Sequence, residues 1–159
     1  MAIPDILEIK TALQIQKPPR QVFEAIVNPG HMSHYFISQS SGRMETGKTL
    51  DWQFPEFEAK FSVRTGKIEP DEYISFYWEN EGRELLVEMR LAERENDSTL
   101  VTVTEKSMKN DEAGIKWLKM NTEGWANFLA CLKAYLEYGI NLRKGGFDFV
   151  RKNSGSAPE

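Results

Sequence analysis

The sequence predicts an α+β domain in which a long C-terminal helix covers a curved antiparallel sheet. Three observations support this prediction. Apolar residues recur at every second position through much of residues 37–105, and short polar turns separate these runs. A helical pattern of apolar residues then extends over about residues 112–140. Because strands joined by short turns pair antiparallel, and a sheet with one apolar face needs a cover, the long helix is expected to lie against the sheet.

The N-terminal segment predicts one strand followed by two short helices. Residues 7–15 alternate between apolar and polar side chains, as in a half-buried strand. Pro18 and Pro19 end this strand, and proline is tolerated in the first turn of the helix that follows, RQVFEAIV. Because the residue before a proline avoids the α region, Asn28-Pro29-Gly30 ends that helix. The segment HMSHYF then predicts a second helical turn.

Five further strands are predicted from two-residue periodicity. They span residues 48–54, 57–63, 72–78, 84–91 and 99–105. The turns between runs carry glycine, proline, asparagine or aspartate, residues that favour tight turns. These turn signals lie at residues 46–47, 69–71, 80–82 and 95–98. This pattern is typical of an antiparallel meander.

The predicted C-terminal helix begins at a cap formed by Asn110 or Asp111. Gly124 lies in its middle, where glycine costs about 1 kcal/mol relative to alanine, so we expect a close backbone approach there. We expect residues 1–144 to form a single domain and residues 145–159 a C-terminal extension with a disordered end. The apolar and charged side chains of this extension are compatible with docking on the domain, with contact to a partner, or with neither.

Four segments in the expected order resemble the SRPBCC (START-like) superfamily, and more narrowly the family homologous to the activator of heat-shock protein 90 ATPase. They are PPRQVFEAIVNPGHMSHYF, GKIEPDEYISFYW, STLVTVTEKS and GWANFLACLKAYLEYG. The resemblance covers about residues 7–140. Two positions depart from the family pattern: Tyr35-Phe36 replaces a Trp-Phe pair, and residues 44–48 contain one glycine where the family often has a glycine-rich turn.

This resemblance implies a helix-grip fold, a seven-stranded antiparallel sheet wrapped round the long helix, with two short helices after strand 1. Members often have a cavity between sheet and helix. The superfamily includes lipid carriers, cyclases, hormone receptors and co-chaperone domains, so fold alone does not assign the activity.

Composition excludes several function classes. The 159 residues carry a net charge of -4, which argues against the basic surface of a nucleic-acid-binding protein. No apolar run approaches the 18 residues of a membrane span, and the N-terminus lacks a secretory signal pattern, so we expect a cytoplasmic protein. We expect no cofactor and no metal, because phosphate-binding glycine motifs are absent and the only histidines are His31 and His34. The lone Cys131 is interpreted as a small apolar filler.

Glu105 is the one carboxyl that the strand pattern directs toward the apolar face. It continues the parity of Val101 and Val103, although the commoner outcome for a carboxylate at a strand end is exposure to solvent or pairing with a lysine. Inside an apolar cavity such a group could act as an acid or base. No catalytic residue is assigned.

The inward aromatic residues favour a binding function for a hydrophobic or amphipathic small molecule, a lipid or an aromatic compound, between sheet and helix. Whether these side chains leave a cavity or fill the core stays open at this point. The candidate ligand-binding residues are Tyr35, Trp52, Phe54, Phe61, Phe76, Trp78, Met89, Glu105, Trp117, Asn121, Trp125 and Phe128. Two alternatives are a co-chaperone-like module that stimulates a heat-shock protein 90 ATPase, with the chaperone as partner, and a cyclase or lyase-like enzyme that uses cavity carboxylates.

Overall fold

A seven-stranded antiparallel sheet forms the frame of the protein in a computed structural model, which describes residues 3–153. The strands are β1 (Ile6–Ile15), β2 (Gln39–Ser40), β3 (Thr49–Gln53), β4 (Phe61–Glu69), β5 (Tyr73–Asn80), β6 (Arg83–Arg94) and β7 (Ser98–Lys109). Their order is β1-β7-β6-β5-β4-β3-β2. The meander therefore continues along the sheet from β2 to β7, and β1 pairs with β7 at the other edge. This is the helix-grip architecture that the resemblance implied.

Within residues 3–153, four helices accompany the sheet. They are α1 (Pro19–Val27), α2 (Pro29–Met32), α3 (Glu112–Tyr138) and α4 (Asp148–Asn153). The 27 residues of α3 give a length of about 40 Å, enough to cross the sheet. Asp111 caps α3 by accepting a hydrogen bond from the Gly114 N–H, and Gly139 ends it in the left-handed conformation at φ 66°. The predicted helix and cap are confirmed.

The tight turns lie where the sequence placed them. Asp71, Glu81, Asn96 and Asp97 have positive φ angles, as do Gly47 and Gly82. Asparagine, aspartate and glycine adopt positive φ angles more readily than other residues, so all of these positions except Glu81 carry a residue type suited to a tight turn. Short connections fix the register of β4 to β7, whose inner faces support α3.

The predicted strand over residues 57–63 is wrong in its first half. β4 begins only at Phe61, and Phe57 is 46 % exposed in the preceding loop. The alternation of Phe57, Ala59 and Phe61 resembles a strand, but Pro55 lacks the N–H that a strand ladder requires. The segment therefore leaves the sheet edge, and Phe54, Glu56 and Phe57 line a groove together with residues from the middle of α3.

The expected close backbone approach at Gly124 is also wrong. A Cβ atom built on Gly124 meets nothing within 4 Å, whereas one built on Gly114 would overlap the carbonyl oxygen of Lys109. β7 passes into α3 through two residues, so its last backbone carbonyl lies against the first turn of the helix. The close approach is therefore at Gly114, and Gly124 faces open space.

The C-terminal segment, by which we mean residues 140–153 after α3, packs against the rest of the domain. The Arg143 Nη2 atom lies 2.5 Å from Glu56 Oε1, and Arg151 Nη2 donates to the Pro55 carbonyl oxygen at 2.7 Å. Both contacts reach the loop between β3 and β4. The expected disorder of the chain end concerns residues 154–159, which lie outside the described residues. Within residues 3–153 no helix has the length and apolarity needed to cross a bilayer.

Candidate functional site

An aromatic groove of about 410 Å³ lies between α3, the loop after β3, the end of α2 and the C-terminal segment. We call it the α3 groove. Its aromatic lining comprises Tyr35, Phe36, Phe54, Phe57, Trp78, Trp125, Phe128 and Phe147. Its polar lining comprises Glu56, Asn121, Asn127 and Arg143. A concave apolar surface with few polar groups is the usual form of a small-molecule site.

The rings of the α3 groove hold one another in defined orientations. The Trp78 and Trp125 ring centroids lie 5.4 Å apart with planes 30° from parallel. Phe128 meets Phe36 edge to face at 4.8 Å and Trp125 at 5.3 Å. Offset and edge-to-face pairs are the preferred geometries of aromatic side chains. The walls are therefore arranged before any ligand enters.

Gly124 keeps the α3 side of the groove open. It lies one turn before Phe128 and next to Trp125, and it lines the groove as an exposed residue. Since a Cβ there meets nothing within 4 Å, any larger side chain would project into free space rather than into the core. Because Gly124 has no side chain, this part of the groove beside Trp125 and Phe128 stays unfilled.

Glu105 lies beneath this wall, fully buried, and accepts hydrogen bonds from four side chains. Its Oε1 atom accepts from Trp125 Nε1 at 2.7 Å and from Asn121 Nδ2 at 3.1 Å. Its Oε2 atom accepts from Trp78 Nε1 at 3.0 Å and from Trp117 Nε1 at 3.2 Å. The inward parity of Glu105 is confirmed, and the carboxylate links β7 to β5 and α3.

All four partners of Glu105 are neutral N–H donors. Within residues 3–153 no lysine, arginine or histidine forms an ion pair with it. A buried carboxylate is costly unless hydrogen bonds replace its hydration, and two oxygens offer about four acceptor positions. The four donors occupy these positions, so Glu105 presents no free lone pair to the α3 groove. This geometry supports a positioning role for Glu105 and argues against its use as a general acid or base.

Tyr35 also lines the α3 groove, and its hydroxyl forms a hydrogen bond with the last turn of α1. The Ala25 carbonyl would normally accept from the N–H four residues later, but that residue is Pro29, which has none. The Tyr35 hydroxyl donates to the Ala25 oxygen at 2.8 Å and satisfies this carbonyl. Burial raises the pKa of Tyr35 well above its ordinary value, so the hydroxyl keeps its proton. Tyrosine at this position therefore has a structural role in this chain, as the hydrogen-bond donor to the end of α1.

We expect Tyr35→Phe to lower the free energy of unfolding by about 1–3 kcal/mol, because the buried Ala25 carbonyl would lose the hydrogen bond that the Tyr35 hydroxyl donates. Urea unfolding at pH 7 measures the change. Tyr138→Phe is the matched control, since Tyr138 is 67 % exposed and its substitution should change stability by less than about 0.5 kcal/mol. Equal stabilities of the two variants would contradict the role assigned to Tyr35.

The residues predicted for ligand binding separate into three groups. Six of them line the α3 groove: Tyr35, Phe54, Trp78, Asn121, Trp125 and Phe128. Trp52, Phe76, Met89 and Glu105 are buried in the core at 1 % exposure or less. Phe61 and Trp117 line the two other grooves described below. The inward aromatic residues therefore both fill a core and leave a groove beside it.

Several lining residues escaped prediction from sequence. They are Phe36, Glu56, Phe57, Asn127, Arg143, Phe147 and Val150, together with Gly124 and Cys131, which were interpreted differently. Burial raises the pKa of the Cys131 thiol, in keeping with its interpretation as an apolar filler. Phe147 and Val150 stand out as apolar residues in a basic tail, but no sequence pattern indicates where that tail docks.

Two further grooves adjoin Asn121. One, of about 690 Å³, opens where β4 and β5 cease to pair beyond Arg64 and Tyr77. The other, of about 960 Å³, lies between the β5–β6 turn and the first half of α3. Charged side chains line both, including Arg64, Glu84, Glu112 and Lys116. The α3 groove is the most apolar of the three and is the candidate site.

The histidines contact Tyr135 rather than the groove. His31 Nδ1 lies 2.6 Å from the Tyr135 hydroxyl oxygen, and the His34 ring stacks on the Tyr135 ring at 5.4 Å. Among the residues that the structure describes, no three acidic, histidine or cysteine side chains form a group that could hold a metal ion.

The comparisons with known proteins agree with this architecture. A family model described as Activator of Hsp90 ATPase homolog 1-like protein matches residues 16–137. No protein with a curated description matches the chain. The X-ray structure of a protein from Staphylococcus saprophyticus is 34 % identical, with a TM-score of 0.77 over 86 % of this chain and 96 % of that one.

Two other solved structures show the same fold at lower identity. The solution structure of the Aha1 dimer from Colwellia psychrerythraea is 19 % identical, with a TM-score of 0.72 over 84 % of this chain and 98 % of that one. DynU16, from the dynemicin biosynthetic locus, is 23 % identical, with a TM-score of 0.75 over 87 % of this chain. This chain spans 49 % of the length of DynU16.

Proposed function

Because the chain belongs to the family of Activator of Hsp90 ATPase homolog 1-like proteins, whose fold often binds small molecules, we propose that it is a non-catalytic binding protein for a hydrophobic, aromatic small molecule. The ligand lies in the α3 groove, against Trp125 and Phe128. The observation that carries this proposal is an apolar groove whose floor is a mid-helix glycine with open space above it. Glycine is about 1 kcal/mol less favourable than alanine in a helix, so its presence there is accounted for by the open space that it leaves in the groove rather than by helix stability.

The composition of the walls supports a flat ligand. Eight aromatic side chains line about 410 Å³, and their rings are already held in edge-to-face and offset pairs. Preorganised rings lose little conformational entropy when a planar molecule stacks between them. A long acyl chain gains less from such fixed planar walls. We therefore place aromatic compounds ahead of lipids among the ligands proposed.

Amide NMR titration with a library of fatty acids, sterols, flavonoids and aromatic polyketides tests the proposal. We expect saturable shifts from aromatic members on α3 around Gly124 and on loop residues 54–57. Residues on the outer face of the sheet, such as Glu88, serve as an internal control and should not move. A flat response to the whole library, or shifts confined to the outer face, would overturn the proposal.

A second candidate function comes from the description of the matching family, stimulation of an Hsp90 ATPase. It would use a protein surface rather than the α3 groove. Purified Hsp90 assayed for ATP hydrolysis with and without this chain distinguishes the two functions. Stimulation that persists when the groove is filled by Gly124→Leu would favour the second candidate, and no stimulation at concentrations well above the expected dissociation constant would remove it.

A further inference from the structure

Arg143 is the only cationic side chain that lines the α3 groove among the described residues. It comes from the C-terminal segment, which lies beyond the end of the family match at residue 137. Phe147 and Val150, from the same segment, line the groove beside it. One side of the groove is thus built by a part of the chain outside the family pattern. Residues there are candidates for the specificity of this particular protein.

The Arg143 guanidinium has N–H donors that its hydrogen bond to Glu56 does not use. It carries five N–H groups, and its hydrogen bond to Glu56 uses one, on Nη2. The Nε atom is buried and has no hydrogen-bond partner among the residues that the structure describes. The Cζ atom lies over the Phe147 ring at 4.6 Å and over the Phe54 ring at 5.3 Å, so ring faces rather than acceptors surround it. A buried donor without an acceptor is costly, and a ligand oxygen would remove that cost.

The charge around Arg143 is already balanced. Its side chain is 15 % exposed and that of its partner Glu56 is 7 % exposed, and their N–O distance is 2.5 Å. A ligand carboxylate bound at Arg143 would also lie beside the Glu56 carboxylate, where low solvent access strengthens the repulsion. A neutral carbonyl oxygen accepts the hydrogen bond without adding charge. The pair therefore favours a neutral acceptor over an anion.

We propose that Arg143 is a specificity-determining residue that donates a hydrogen bond to the carbonyl oxygen of a neutral aromatic ketone bound in the α3 groove. This inference rests on the proposed function and names its ligand class. The aromatic rings of the groove hold the planar body of the ligand, and the guanidinium selects the acceptor. Asn121, whose Oδ1 atom accepts no hydrogen bond from the described residues, faces the same groove and suits a hydroxyl on the ligand.

Three naphthalene derivatives of similar shape test this inference. 2-Acetylnaphthalene has the carbonyl oxygen, 2-isopropenylnaphthalene replaces that oxygen with carbon, and 2-naphthoate carries a negative charge. Dissociation constants are measured for wild type, Arg143→Met and the matched control Arg151→Met, with folding of each variant verified by its amide spectrum. The readout is the ratio of ketone to alkene affinity, because a change in the packing of the tail would affect both ligands together.

We expect Arg143→Met to reduce the ketone-to-alkene ratio about tenfold, and Arg151→Met to leave it within about twofold of wild type, because Arg151 lies on the same segment but does not line the groove. Wild type should bind the ketone more tightly than the naphthoate. In wild type, the Nε–H resonance of Arg143 should shift with the ketone and not with the alkene, a readout that needs no variant.

An unchanged ratio in Arg143→Met, a silent Nε–H resonance, or tighter binding of the naphthoate would overturn the inference while the proposed function stands. Failure of all three compounds to bind wild type, together with a flat library response, would overturn both.

Discussion

Replacing Glu105 with glutamine is expected to lower the free energy of unfolding by about 3 kcal/mol. The substitution keeps the shape of the side chain but turns one acceptor oxygen into an N–H donor. On one side that group faces the donors of Trp125 and Asn121, and on the other it faces those of Trp78, Trp117 and, at 3.3 Å, Asn121. Each buried donor left without an acceptor costs about 1–3 kcal/mol, partly offset by the relief of burying a charge.

Urea unfolding of Glu105→Gln at pH 7 measures this loss, with Glu93→Gln as the matched control. Glu93 lies exposed on β6 and forms no ion pair within the described residues, so its substitution should change stability by less than about 0.5 kcal/mol. Glu105→Leu should be the less stable of the two Glu105 variants, since it removes all four acceptor contacts. If Glu105→Gln unfolded at the same urea concentration as Glu93→Gln, the carboxylate would not be the link between sheet and helix.

Replacing glycine with alanine at Gly114 and at Gly124 of α3 should change the free energy of unfolding in opposite directions. We expect Gly114→Ala to lower the free energy of unfolding by about 2–3 kcal/mol, because the new methyl group would overlap the Lys109 carbonyl and force the backbone apart. Gly124→Ala should raise it by about 1 kcal/mol, since alanine is the better helix former and meets no atom within 4 Å. The two variants are controls for each other, because helix propensity favours alanine at both.

Thermal or urea unfolding of the two glycine variants gives the comparison directly. A stabilised Gly114→Ala would show that the β7–α3 connection relaxes without cost. A destabilised Gly124→Ala would mean that this position is closed in solution, and the α3 groove would lose its floor.

Local sequence patterns were sufficient to predict the antiparallel sheet and the long helix of this protein. Alternation along β7 predicted that Glu105 shares a face with Val101 and Val103, and the Asp111 cap marked the start of α3. Both follow from periodicities of two and 3.6 residues, which are local properties. Residues 57–60 were wrongly predicted as the start of a strand because Phe57 and Ala59 continue the alternation that Phe61 and Val63 carry into β4. A local pattern does not reveal that the backbone has left the sheet edge.

The candidate site depended on contacts that no local pattern encodes. Trp78, Trp117 and Trp125 were identified as inward residues, but their shared acceptor follows from the position of α3 across β5 and β7. Mid-helix Gly124 suggested close packing, and only the position of the loop and tail shows that it faces a groove. The docking of Arg143 on Glu56 joins residues 87 positions apart in the sequence. The sequence predicted five of the eight aromatic residues that line the groove, and the tertiary arrangement determined the other three and the open volume.

The most direct test of the central claim uses the aromatic compound that gives the largest saturable shifts in the NMR titration. Its affinity for wild type, Gly124→Ala and Gly124→Leu is measured by calorimetry. The claim is that the ligand occupies the α3 groove above Gly124. We predict that Gly124→Leu, whose side chain projects into the groove, weakens binding at least about tenfold while the protein stays folded, and that Gly124→Ala changes affinity less than about threefold. Equal affinities of wild type and Gly124→Leu would contradict the account and place the ligand elsewhere on the protein.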